Sequence, residues 1–248
     1  MIPIRVSLLP TFSENSDLTG QVAVVVDILR ASTTIVHALA NGARSIRPCS
    51  TVEQAWKLAE QFSPQQRLLG GERHCQTIEG FDLDNSPLGY TSDRVAARDI
   101  IFTSTNGTYA LETCTSAKQI YIGAFVNLSA VTKNLFELKQ PVHLVCAGTN
   151  RQFTAEDILF AGAVIDQLLS ETESPFEPVE AQGQMALDYF RTRGKSPASF
   201  RKTMFESLGA ENLIKLGLQP DIERAMQFDL FEIVPEWNSE ERKLIVSK

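Results

Sequence analysis

The 248-residue sequence predicts an α/β fold, a mostly buried parallel or mixed sheet with helices on both faces. Three observations carry that expectation. Short continuous apolar runs rich in β-branched residues recur along the chain, as strands buried on both faces require. Segments of helical periodicity stand between them, the alternation of βαβ units. Apolar residues make up 43% and charged residues 21%, an ordinary globular composition with enough length for a full core.

The strongest strand signal is the run Val-Ala-Val-Val-Val at 22–26, halted by Asp27. Residues 100–102, 120–122 and 142–146 have the same character, and 2–9, 45–49 and 67–69 are weaker strand candidates. Helical periodicity covers 33–40, 52–62, 108–113, 126–138 and 155–169. Ser50-x-x-Glu53 and Thr154-x-x-Asp157 fit capping boxes at two of these starts. The stretch 171–180, with four glutamates and two prolines, reads as an exposed loop. Residues 182–228 read as short helices, so 1–248 is expected to be a single α/β domain whose C-terminal third is mainly helical.

Composition removes several function classes. A net charge of −7 suits nucleic acid poorly, because phosphate backbones demand clustered positive charge. No apolar run approaches the ~20 residues of a membrane span. The N-terminus lacks a signal-peptide pattern, and Cys49, Cys75, Cys114 and Cys146 show no C-x-x-C spacing. The expectation is a reduced, cytoplasmic protein with neither nucleic-acid nor membrane partners. Familiar phosphate motifs fail on spacing. Tyr189 stands where a P-loop ending in Gly194-Lys195-Ser196 needs glycine, and Gln152 stands where a Cys146-centred phosphatase loop needs arginine. Leu29 stands where an Asp27-centred D-x-D motif needs its second acid. Pro87 occupies the glycine position of an EF-hand-like Asp82-x-Asp84-x-Ser86.

Polar residues gather where strands are predicted to end, which is where open α/β sheets bind ligands. The first cluster is Asp27, Arg30, Ser32 and Thr33, a carboxylate, a guanidinium and hydroxyls opening a helix. Its plain structural role would be a helix cap by Ser32 and an Asp27–Arg30 pair. The second is Gly70-Gly71-Glu72-Arg73, followed by Asp82, Asn85 and Ser86. It reads either as oxygen ligands for a hard cation or as a solvated turn. The third, Ser104, Thr105, Asn106 and Gly107, reads as an oxyanion cradle or an N-cap and turn. The fourth adds Gly148, Glu156 and Asp157, of which Asp157 has a competing capping duty. Together they supply oxygen ligands with little sulfur or imidazole, a set suited to Mg²⁺ rather than zinc or copper.

These clusters carry a resemblance. The segments VVVDILRASTTIVHALANGA, GGER…IEGFDLDNSPLGY, FTSTNGTYAL and CAGT…FTAEDILFAG, in that order, are similar to the 2-phosphosulfolactate phosphatase family. The resemblance implies a three-layer α/β/α sandwich and a Mg²⁺-dependent phosphatase. Its substrate would be 2-phospho-3-sulfolactate, yielding 3-sulfolactate on the route to coenzyme M. For such a reaction the expected metal ligands are Asp27, Glu72 and Glu156 or Asp157, with a phosphate clamp at Arg30 and a general acid or base at Asp82. Ser32, Thr33, Arg73, Asn85, Ser86, Thr105, Asn106 and Gly107 would bind substrate, with Arg73 or Arg151 taking its sulfonate and carboxylate. A covalent phosphate on Asp27 is the rival mechanism. Asp84 departs from the family pattern, and an extra carboxylate there is expected to alter metal affinity or repel a doubly anionic substrate. The expected partner is a small anionic phosphorylated substrate, and symmetric assembly of such enzymes makes a homodimer the default. The alternatives are a phosphatase for another small phosphorylated acid, or a non-catalytic binding protein for an anionic metabolite.

Overall fold

The computed structural model describes residues 1–13 and 17–246. Its strands are β1 (Ile2–Ser7), β2 (Val22–Val26), β3 (Ser45–Pro48), β4 (Arg67–Arg73), β5 (Gln76–Thr77), β6 (Asp99–Thr103), β7 (Gln119–Gly123), β8 (Val142–Cys146), β9 (Phe176–Pro178), β10 (Pro235–Asn238) and β11 (Lys243–Val246). Between them run α1 (Ala31–Ala40), α2 (Val52–Ala59), α3 (Ser92–Val95), α4 (Gly107–Thr113), α5 (Leu128–Leu138), α6 (Ala155–Ser170), α7 (Glu180–Arg193), α8 (Pro197–Phe205), α9 (Leu208–Lys215) and α10 (Gln219–Ala225).

The strands lie in the order β5-β4-β6-β3-β11-β10-β7-β2-β8-β1-β9. Two parallel blocks make up most of it, β4-β6-β3 on one side and β7-β2-β8-β1-β9 on the other. The antiparallel hairpin β10–β11 fills the gap, pairing Glu236 with Tyr121 of β7 and Leu244 with Ile46 of β3. Every residue of β2, β6 and β8 is buried. Side chains alternate faces along a strand, so burial at every position means cover on both faces. The layered α/β expectation therefore holds, and no helix among the described residues is long and apolar enough to cross a membrane.

The strands expected at 2–9, 22–26, 45–49, 67–69, 100–102, 120–122 and 142–146 all form. Other expectations are corrected. The first cap lies one residue later than expected. Thr51, not Ser50, accepts from Gln54 N at 3.1 Å, and the Gln54 side chain accepts from Ser50 N at 3.1 Å. Thr154 makes no side-chain cap for α6, and Asp157 turns elsewhere. The 171–180 loop contains β9, which lies on the sheet edge beside β1, where Pro178 forfeits no ladder bond. Beyond α7–α10 the chain re-enters the sheet centre as β10–β11. A strap over 229–233 leads there, held by Asp229 N to Phe125 O (3.0 Å) and Phe231 N to Val126 O (2.9 Å).

Leu244 is fully buried at the joint between the hairpin and β3. Leu244→Ala should lower unfolding free energy by about 2–5 kcal/mol, the cost of a core cavity. A urea titration checks this, with the midpoint falling at an unchanged slope.

Candidate active site

The turn from β2 into α1 is fixed by mutual backbone and side-chain bonds. Ser32 Oγ accepts from Asp27 N (2.9 Å), while Ser32 N donates to Asp27 O (2.8 Å). Asp27 Oδ1 accepts from Ala31 N at 3.2 Å, which places a carboxylate over the start of α1. Thr33 Oγ1 donates to Ile28 O at 2.8 Å. The Leu29–Arg30 peptide is cis. A Cβ at Gly107 would fall 2.8 Å from Asp27 Oδ2 and 2.9 Å from the Ala31 methyl, so only glycine lets α4 begin this close to Asp27.

Two further carboxylates gather backbone donors from neighbouring strand ends. Glu72, near the end of β4, accepts from Thr105 N (3.0 Å), Thr105 Oγ1 (2.9 Å) and Cys75 N (2.8 Å). Asp157 accepts from Ile28 N beyond β2 and Gly148 N beyond β8, both at 2.9 Å. Arg30 is buried and bonds Asp221 of α10 at 2.7 Å, and its other terminal nitrogen donates to Cys75 O at 3.1 Å. Ser86 Oγ donates to the second Asp221 oxygen at 2.6 Å. Asp221 thus holds Arg30 and the 85–87 turn in one network.

A cavity of about 340 Å³ opens at these strand ends. Of the sequence-predicted residues, Asp27, Arg30, Glu72, Asn85, Ser104, Thr105 and Asn106 line it. The others are brought close but serve as structure. Ser32, Thr33 and Gly107 build the turn around Asp27. Ser86 serves Asp221. Arg73 is tied to Thr103 Oγ1 (2.8 Å), Glu72 O (2.7 Å) and Ser50 O (3.2 Å), and with Arg151 it lies outside the cavity lining. Asp82, expected as acid or base, instead accepts from Leu69 N at 2.8 Å, bracing β4 away from the cavity. Asp84 accepts from Ser86 N at 2.8 Å, so this departure from the family pattern shapes a turn and does not face the cavity. Sequence reasoning missed one whole wall: Gly209, Asn212 and Lys215 of α9, with Leu216 beyond it. His74 and Cys75 on the β4–β5 turn also line the cavity. The α9 residues recur at helical spacing, but nothing local in 208–216 ties that stripe to strand ends far away in sequence.

The four acids expected as metal ligands lie near enough to repel one another but form no ready-made cage. Among the described residues no three His, Cys, Asp or Glu side chains come together to hold a metal. Asp157 has both oxygens on backbone donors, and Glu156 is buried beneath α9, where a Cβ on Gly209 would collide with its Oε1. Mg²⁺, however, commonly keeps several waters and takes one or two carboxylates plus substrate phosphate. Among the described residues the bond to Asp27 falls on Oδ1 and leaves Oδ2 open, and Asn85 Oδ1 is buried without a partner. Both residues line the cavity, and they fit that mode. Burial pushes the Asp27, Glu156 and Asp157 carboxyls above the usual carboxylate range, and their mutual repulsion adds to the rise.

The model of the 2-phosphosulpholactate phosphatase family matches residues 8–240. The chain belongs to this family, and so to the phosphoric monoester hydrolases. A protein of Symbiobacterium thermophilum described as a probable 2-phosphosulfolactate phosphatase is 40% identical over 221 residues, 88% of this chain and 92% of its own. One of Thermotoga petrophila with the same description is 39% identical, covering 89% of this chain and 90% of its own. Another, from Caldanaerobacter subterraneus subsp. tengcongensis, is 38% identical and covers 88% of each chain.

A raised carboxyl pKa means the folded state holds its proton more tightly than the unfolded chain. Stability from these acids is therefore full below about pH 4 and is lost as pH rises through the raised values. Asp27→Asn, which mimics the protonated form, should raise the melting midpoint only a little at pH 5, where the loss has just begun. At pH 8 in EDTA it should raise the midpoint, by about 2–4 °C for each kcal/mol relieved. Thermal melts at both pH values check the sign.

Proposed function

We propose that this chain hydrolyses the phosphate monoester of 2-phospho-3-sulfolactate, in a Mg²⁺-dependent reaction, to 3-sulfolactate and inorganic phosphate. The observation that carries the reading is a single cavity joining Asp27, Arg30 and Asn85 to the Thr105–Asn106 turn that Glu72 braces. Family membership supports the substrate class.

Asp27 and Asn85 would hold the cation through oxygen. When bound, Mg²⁺ supplies charge neutralisation at the phosphoryl oxygens. Arg30 binds the phosphate through the N–H groups that Asp221 and Cys75 leave open, and the Asp221 pair fixes the plane of the fork. The Thr105 hydroxyl is committed to Glu72, so the Asn106 side chain is the donor on that wall. Water attacks phosphorus, the ester P–O bond breaks, and the departing alkoxide oxygen needs a proton. As the carboxylate, Asp27 is placed to take the proton of the attacking water and hand it to the departing oxygen, so that ester and water become alcohol and phosphate.

Phosphate release from 2-phospho-3-sulfolactate should require Mg²⁺ and stop in EDTA. Release from another phosphorylated acid alone would keep the site and discard the substrate. Tight ligand binding without turnover on a broad phosphoester panel would make the chain a binding protein. Arg30→Lys keeps a charge beside Asp221 but loses the fork, and kcat/KM should fall by about one to two orders of magnitude, the worth of a charged hydrogen bond. Unchanged kinetics would remove Arg30 from phosphate binding.

A further inference from the structure

The substrate in that reading carries two anionic groups besides its phosphate, and each needs a counterpart. Arg73 and Arg151, the cations expected for them, lie outside the cavity lining, and Arg73 is tied down by three oxygens. The basic side chains that do line the cavity are Arg30, His74 and Lys215. Arg30 is buried and fixed by Asp221.

Lys215 is placed differently. Helix α9 is capped by Ser207, whose Oγ accepts from Ala210 N at 3.3 Å. It turns Ala210 and Leu213 into the core and lays Gly209, Asn212 and Lys215 along the cavity, three residues apart. Burial of Ala210 and Leu213 and close contact of Gly209 with Glu156 fix that face. The Lys215 side chain is 65% exposed, and its ammonium rests on Glu211 at 2.6 Å. An exposed pair four residues apart on a helix is weak, about 0.3–0.5 kcal/mol, so a buried anion can draw the ammonium away.

We propose that Lys215, with the Asn212 amide one turn earlier, forms the subsite for the sulfonate of the substrate. A sulfonate spreads one charge over three equivalent oxygens. It suits the compact ammonium of lysine, with three donors and no required plane, better than a two-pronged fork. Asn212 adds a neutral donor to a second oxygen. The phosphate then sits at Arg30 and the sulfonate at α9, so this wall selects the acid that carries the ester. The inference rests on the proposed reaction for the identity of the anion.

The test compares 2-phospho-3-sulfolactate with 2-phospholactate, which has a methyl in place of the sulfomethyl group, in Mg²⁺ buffer. Lys215→Met should raise KM for the sulfonated substrate about tenfold, one charged hydrogen bond's worth, with kcat within about twofold. Kinetics on 2-phospholactate should not move, and Lys215→Arg, which keeps the charge but not the compact ammonium, should restore only part of the loss. Equal effects on both substrates, or none on either, would overturn the proposal. Should the wild type hydrolyse neither substrate, the reaction falls, and calorimetric titration with 3-sulfolactate still decides the subsite. Wild-type binding that Lys215→Met weakens keeps it, and no wild-type binding, or equal binding to both, discards it.

Discussion

Parallel strands that end together leave backbone N–H groups without partners at one edge of the sheet, and those donors must be satisfied. Here carboxylates do it, each reaching across to a different strand end. Glu72 of β4 takes the Thr105 N–H beyond β6, and Asp157 of α6 takes those of Ile28 beyond β2 and Gly148 beyond β8. These bonds set the cavity walls at fixed separations. They also concentrate carboxyl groups in a buried place, which raises their pKa values. Structure and chemistry therefore draw on the same groups.

That double use divides the predicted site residues. Asp27, Arg30, Asn85, Thr105 and Asn106 face the cavity, whereas Ser32, Thr33 and Gly107 hold the turn that presents Asp27. Arg30 belongs to both groups. Its buried pair with Asp221 ties the β2–α1 turn to α10, so the C-terminal helices are part of the site.

The layered core was legible because a strand covered on both faces needs an unbroken apolar run, as Val22–Val26 and Val142–Cys146 have. The polar clusters were legible because they follow those runs. Partners were not, because Asp157 reads locally as a helix cap and its true donors lie across the fold. The same limit hid α9, whose stripe acquires meaning only beside the strand ends. β9 and β10 were hidden by sequence of their own: Phe-Glu-Pro and Pro-Glu-Trp-Asn are short, and each carries a proline that local rules assign to loops.

The hairpin between β3 and β7 also has a temporal meaning. Ribosomes make a chain from its N-terminus, and the hairpin is the last piece of the sheet to emerge. Until then β3 and β7 lack the two strands that pair with them. Without residues 235–246 both β3 and β7 would present an unpaired edge, and the hairpin covers the two at once. Closing the centre of the sheet thus waits on the last two described strands in chain order.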